Sequence, residues 1–201
     1  MTTPRDLLMV SLDVASDRPV EAGDLSLALA GAELVDLIDV QALTLDGDLI
    51  VPGNRWALPD PLLDAASSSL VRQTPYESVE DWLWRRGRGL SSTYTDALES
   101  AGAVARERTR WSHAPTGRTA PVDSPDRRRA ADRWTSGEPV LAVLAASVGI
   151  HGAPAGDSPA IEDDALATVL ATVSGAVVEL DGVRQRRAVE DAAFDNVWRG
   201  V

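Results

Sequence analysis

Apolar residues recur at helical spacing along most of the chain, interrupted twice by short runs set around turn residues. Thr3-Pro4-Arg5-Asp6 reads as a helix start, with a hydroxyl cap, a proline in the first turn and an acid behind it. Leu7, Leu8, Val10 and Leu12 then form the buried side. A second helix is expected from Asp24 to about Asp39, on Leu27, Leu29, Leu34, Leu37 and Ile38. Residues 42–51 place two apolar runs around Asp46-Gly47, a hairpin signal that suits a type I′ turn, and Pro52-Gly53-Asn54 ends it. Asp60-Pro61 opens a helix to about Arg72, and Thr74-Pro75 breaks the chain. Ser78 caps a short helix, Val79 to Arg86, stopped by Gly87 and Gly89. Another follows from Leu90 to Ser100, with Gly102 as its left-handed stop.

The second hairpin is expected from Val104–Trp111 and Thr119–Val122, around His113-Ala114-Pro115-Thr116-Gly117. Ser124-Pro125-Asp126 caps a helix carrying Arg127, Arg128, Arg129 and Arg133, and Glu138-Pro139 starts an apolar helix reaching Ile150. A loop at Gly152–Ser158 and two helices, about 159–174 and 183–198, complete the chain. The predicted fold is mainly α: a single-domain helical bundle over residues 1–201 with two short β-hairpins. Helix, helix, hairpin occurs twice, near 25–51 and near 79–122, and each unit is winged-helix-like.

The chain has 201 residues, no Cys and no Lys. Absence of Cys removes disulfides, thiolate metal ligands and thiol nucleophiles, and arginine as the only basic residue is read first as the mark of a GC-rich bacterial genome. Net charge is −12, which opposes wholesale wrapping by nucleic acid. That charge is uneven. Residues 1–84 hold 4 Arg against 15 acids, residues 85–133 hold 11 Arg against 6, and residues 134–201 hold 4 against 10. No signal peptide and no apolar window of about 18 residues is expected, so the chain reads as cytoplasmic, peripheral at most on the inner face of a membrane.

No catalytic constellation, cofactor motif or metal site emerges. His113 and His151 are the only imidazoles and sit in turn-rich segments without acids at ligand spacing. Glu162-Asp163-Asp164 suits the first turn of a helix better than a metal. The informative stretch is Val79-Glu80-Asp81-Trp82-Leu83-Trp84-Arg85-Arg86-Gly87-Arg88. At helical spacing Val79, Trp82, Leu83 and Arg86 share one side, while Asp81, Trp84, Arg85 and Arg88 point elsewhere. Arginines at a helix end compensate its dipole, but a guanidinium fork also binds phosphate, and an exposed Trp suits a membrane interface. The candidate headgroup-binding residues are Arg88, Arg85, Arg86 and Trp84, joined by Arg127, Arg128, Arg129 and Arg133 if all converge on one positive island.

Leu62-Leu63-Asp64 followed by Thr74-Pro75-Tyr76-Glu77-Ser78-Val79-Glu80-Asp81-Trp82-Leu83 resembles the corresponding segment of the Golgi phosphoprotein 3 family. So do Gly31-Ala32-Glu33-Leu34-Val35-Asp36-Leu37, leading into the hairpin at Leu43–Ile50, and Ser100-Ala101-Gly102-Ala103-Val104. The resemblance implies a helical, non-enzymatic peripheral membrane protein; eukaryotic relatives recognise phosphatidylinositol 4-phosphate and hold glycosyltransferases through their cytoplasmic tails. The family's headgroup positions, a Trp, an Arg and an R-x-x-R pair, fall on Glu21, Ala30, Arg88 and Ser91; only Arg88 matches in type. The partner expected first is an anionic phospholipid headgroup. The alternatives are an adaptor of the same fold that binds protein, such as cytoplasmic tails of membrane proteins, and a winged-helix DNA binder. Oligomeric state has no signal.

Overall fold

The computed structural model describes residues 2–14, 16, 19–108, 115–154 and 161–199, the side chains of 106–108, 115–118 and 192–199 excepted. Eight helices and four strands are present among the described residues: α1 (Thr3–Asp13), α2 (Ala22–Asp39), β1 (Leu43–Asp46), β2 (Leu49–Pro52), α3 (Pro61–Ser68), α4 (Val79–Arg86), α5 (Leu90–Ser100), β3 (Val104–Arg108), β4 (Pro115–Pro121), α6 (Pro125–Thr135), α7 (Pro139–Ser147) and α8 (Asp164–Arg199). The mainly α fold with two hairpins is therefore as expected. Trp111 and His113 lie outside the described residues, as do 155–160, where part of a loop and a helix start were expected.

α2 is the helix around which the others pack. Its sequence is apolar on nearly every side, and residues 25–35 are buried without interruption. A helix of that kind belongs in a core. It touches α1, α3, α4, α5, α7 and α8. Small residues in its middle, Ala28, Ala30, Gly31 and Ala32, let those neighbours come close. Gly31 is the tightest point, because a Cβ there would overlap the Val173 side chain of α8. α1 is pinned to the same helix by a polar contact: the Thr3 amide donates to Asp36 Oδ2 at 2.8 Å.

Both hairpins are antiparallel two-stranded sheets. β1 and β2 pair Leu43 with Pro52 and Asp46 with Leu49, leaving Gly47-Asp48 as the two-residue turn. Gly47 has φ +62°, and Asp48 is not among the residues of positive φ. These signs are those of a type II′ turn, with glycine first, and not of type I′, which needs positive φ twice. The strand register supplies the reason, since it puts Gly47 at the first central position. The end of α2 holds one strained residue. Gln41, at φ +57°, takes the left-handed position normally given to glycine, while the Ala42 and Gln41 amides close the helix on Leu37 and Ile38 carbonyls.

Several boundaries differ from the sequence reading. β4 begins at Pro115, inside the expected turn, and α7 ends at Ser147, short of Ile150, with Gly149 turned to φ +84° just beyond it. α2 begins at Ala22, two residues early, and α3 ends at Ser68, not near Arg72. The two final helices are one, α8, running through Gly175 and Gly182. Nothing lies within 4 Å of a Cβ at Gly175, and only an arginine tip approaches one at Gly182, so neither glycine marks a turn. Burial of Val169, Leu170, Val173, Ala176 and Val177 outweighs the roughly 1 kcal/mol each glycine costs in a helix. Over Asp164–Asp191 α8 is also long and apolar enough, by length and composition alone, to cross a membrane, where no such window was expected. Ala, Thr, Ser and Gly alternate with its valines, so it holds few large apolar residues in a row.

Two outcomes test this packing. Gly31→Ala is expected to lower the urea unfolding free energy by about 1–3 kcal/mol, the usual range for overpacking, and Val173→Ala in the same chain to recover part of the loss. Burial pushes the Asp36 carboxyl up from 3.8 to about 6, against the opposing hydrogen bond from Thr3. An acid raised on folding favours the fold below its unfolded pKa, and that contribution disappears as pH climbs through the folded value. Asp36→Asn is therefore expected to exceed the parent in thermal stability above pH 6, by roughly 3 kcal/mol at neutral pH. The two curves should meet near pH 3.8.

Candidate functional site

α4 is short, eight residues, and both of its ends are specified locally. The Ser78 hydroxyl accepts the Asp81 amide at 3.0 Å, Glu80 and Asp81 occupy the first turn, and Arg85 and Arg86 the last. The expected inward side is the observed one. Val79, Trp82 and Leu83 are fully buried, and the Trp82 indole N–H donates to the Ala30 carbonyl of α2 at 3.1 Å.

Arg86 points inward with them. Its guanidinium forms a fork with Glu33 of α2, Nε to Oε2 and Nη2 to Oε1, both 2.8 Å. The Glu33 side chain is 0% exposed, and the Tyr94 hydroxyl of α5 donates to Oε1 at 3.0 Å. Burial raises the Glu33 carboxyl above its ordinary range, opposed by the Arg86 fork and the Tyr94 hydroxyl. Burial and the Glu33 charge likewise push the Tyr94 phenol far up. Arg86 thus serves as the counter-ion of a buried acid that joins α2, α4 and α5.

Arg85 is held as well. It makes a second fork with Glu77, at 2.6 and 2.7 Å, donates to the Ser69 carbonyl at 3.2 Å, and lies 5.1 Å over the Trp82 ring. The arginines of α6 turn toward other acids. Arg127 forks with Asp13 of α1, Arg128 with Asp123, and Arg129 lies 3.7 Å from Asp126. Arg133 reaches Asp6 of α1 at 2.6 Å and Glu138 at 2.9 Å. The expected positive island is therefore absent among the described residues: each of these side chains meets a carboxylate, and those of α4 and α6 line no common cavity.

Arg88 behaves differently. Gly87 packs so closely that a Cβ would lie 2.6 Å from the Leu83 carbonyl, and Gly89 turns the chain at φ +70° into α5. Between them Arg88 is exposed, and it has no hydrogen bond or ion pair among the described residues. It lines a pocket of about 290 Å³ with Trp84, which is half-buried. Leu27 of α2 and Leu180 of α8 give the pocket apolar walls, and Ser26, Ser91 and Ser92 give it hydroxyls. Ser26 Oγ donates to the Ala22 carbonyl at 2.7 Å, accepts the Ser91 amide at 3.0 Å, and sits 2.9 Å from Ser91 Oγ. Arg88 is the one charged residue of this lining.

Of the sequence candidates, the structure brings Arg88 and Trp84 together and sends Arg85 and Arg86 to Glu77 and Glu33. Of the positions implied by resemblance, Arg88 and Ser91 share the pocket, Ala30 is buried beneath Trp82, and Glu21 lines a neighbouring cavity with Asp24, Asp181, Arg184 and His151. Ser26, Ser92 and Leu180 were not anticipated, because nothing in local spacing ties residues 26, 92 and 180 together. Asp163, from the acidic triplet, accepts the Ala165 and Leu166 amides at 2.8 and 3.0 Å, a helix-start contact.

A family model described as Golgi phosphoprotein 3 matches residues 4–192. No curated protein matches the chain.

Substitutions separate the two kinds of arginine. Arg86→Ala leaves Glu33 buried without its counter-ion and is expected to cost about 3–5 kcal/mol in chemical unfolding. Arg88→Ala is expected to change stability by less than about 0.5 kcal/mol.

Proposed function

Since this chain belongs to the Golgi phosphoprotein 3 family, we propose that it associates peripherally with the cytoplasmic face of a membrane by holding the phosphate of an anionic lipid headgroup at Arg88. The observation that carries this reading is the isolation of Arg88. Among the arginines of segment 85–133 whose side chains are described, it is the one without a protein partner, and it stands over a cavity. An unpaired guanidinium offers a rigid fork of donors matched to phosphate oxygens. Trp84 beside it suits the boundary between headgroups and acyl chains, with an apolar body and a polar tip. Binding, not bond breaking, is what such a lining supports: it offers one cation, hydroxyls and apolar walls. The headgroup would rest on Ser91 and Ser92 with Leu27 and Leu180 beneath it.

A second reading, docking of a basic cytoplasmic tail, is favoured by one feature. The cavity of about 540 Å³ next to the pocket carries Glu21, Asp24 and Asp181 against a single Arg184. A DNA-binding role draws no comparable support, since Arg127, Arg128 and Arg133 of α6 are engaged by Asp13, Asp123 and Asp6.

Vesicle sedimentation tests the first reading. The chain is expected to pellet with phosphatidylcholine vesicles containing phosphatidylglycerol and to remain in solution with phosphatidylcholine alone. Arg88→Ala should reduce binding by about tenfold or more, a loss of roughly 1.4 kcal/mol, and Arg128→Ala should leave it unchanged. Equal, negligible binding to both vesicles overturns the reading, and a basic tail peptide that still binds would then favour the second.

A further inference from the structure

Resting on that reading, we infer that the pocket at Arg88 selects a phosphodiester carrying one negative charge, the linkage found in phosphatidylglycerol-type headgroups, over a phosphomonoester headgroup.

The first reason is the charge within the lining. A phosphodiester carries one negative charge, and a phosphomonoester carries about −1.5 to −2 at pH 7. Arg88 supplies one positive charge, and no other charged residue lines the pocket. The two arginines nearest in sequence contribute no further cation, because Arg85 is forked to Glu77 and Arg86 to Glu33. Arg184 approaches from behind Gly23, its Nη2 2.9 Å from where a Cβ would stand. It is bound to Asp24 at 2.7 and 3.0 Å, so that charge too is matched.

The second reason is what surrounds the pocket. Glu21 and Asp181 lie in the adjoining cavity, and the whole chain carries −12. A second ligand charge would therefore meet repulsion with no compensating group. Two of the backbone amides at the start of α5 are already engaged. The Leu90 amide is spent on the Gly87 carbonyl at 3.3 Å, and the Ser91 amide on Ser26 Oγ at 3.0 Å.

The third reason is the remaining lining. Ser92 is exposed at the rim and has no hydrogen bond among the described residues, which suits a headgroup hydroxyl. Leu27, Leu180 and Trp84 provide apolar surface for the glycerol carbons of a diacyl lipid. One fork, one free hydroxyl and apolar walls together describe a singly charged polyol diester attached to a hydrophobic body.

The test compares phosphatidylcholine vesicles doped, at equal surface charge, with phosphatidylglycerol, phosphatidic acid or phosphatidylinositol 4-phosphate. Phosphatidylinositol 4-phosphate adds a projecting monoester to a diester of its own, so it asks whether the extra charge is rejected even where a diester is on offer. Binding to phosphatidylglycerol vesicles is expected to be about tenfold tighter than to either monoester, roughly 1.4 kcal/mol. Soluble glycerophosphoglycerol is expected to compete, and inorganic phosphate not to. Ser92→Arg, which adds a second cation at the exposed rim, should move the preference toward the monoesters, and circular dichroism should confirm that the variant folds. Equal or tighter binding to phosphatidic acid or phosphatidylinositol 4-phosphate by the parent chain overturns the inference and leaves headgroup binding standing. So does competition by inorganic phosphate alone. No binding to any of the three vesicles overturns both.

Discussion

A carboxylate with no exposure to water sits in the middle of the central helix, and the rest of the arrangement follows from how it is satisfied. Glu33 accepts a guanidinium fork from Arg86 and a hydroxyl from Tyr94. Desolvating such a charge costs several kcal/mol, which a full fork and an added hydrogen bond largely offset, and losing one partner costs about 3–5 kcal/mol. The pair therefore contributes less net stability than geometric definition. It fixes the rotation of α4 about its axis, brings α5 against α2, and lets the chain turn outward after buried Gly87, at Arg88-Gly89. Trp82 acts in the same sense through its bond to the Ala30 carbonyl. Arg88 is free because Arg86 is committed.

The chain's charge pattern takes a different meaning in three dimensions. Eleven arginines between residues 85 and 133 suggest a positive surface, but those of α6 act as couplers. Arg127 and Arg133 reach Asp13 and Asp6 and fasten α6 to α1. Acids thus engage the described arginines of the basic segment other than Arg88, which stands as the single charged residue of its pocket on a chain of net charge −12. A protein of this kind gains little from long-range attraction to anionic lipid, and selectivity falls to short-range contacts at the pocket itself.

Local features were legible in the sequence because they depend on neighbours. Ser78 as a cap, the inward phase of Val79, Trp82, Leu83 and Arg86, and glycine at the ends of α4 and α5 all follow from helical geometry. The type of the first hairpin turn was not, since one step of register decides whether Gly47 stands first or second in it. The break expected between residues 174 and 183 is missing for the opposite reason: burial of Val173 and Val177 carries the helix through Gly175 and Gly182. The candidate site was legible as far as Trp84 and Arg88. Its limits were not, because the acids that claim the other arginines stand 53 residues away for Glu33, 114 for Asp13 and 127 for Asp6. Ser26 and Leu180 reach the pocket from similarly distant positions.

The account's central claim is that one guanidinium is free for a ligand while its neighbours serve the fold. Arginine side-chain Nε–H resonances in two-dimensional NMR read this directly, titrated with soluble glycerophosphoglycerol. The account predicts that the Arg88 resonance moves and saturates while those of Arg85, Arg86, Arg127 and Arg133 stay in place. Movement of Arg85 or Arg86 with Arg88 unchanged, or no movement at any arginine, would contradict it.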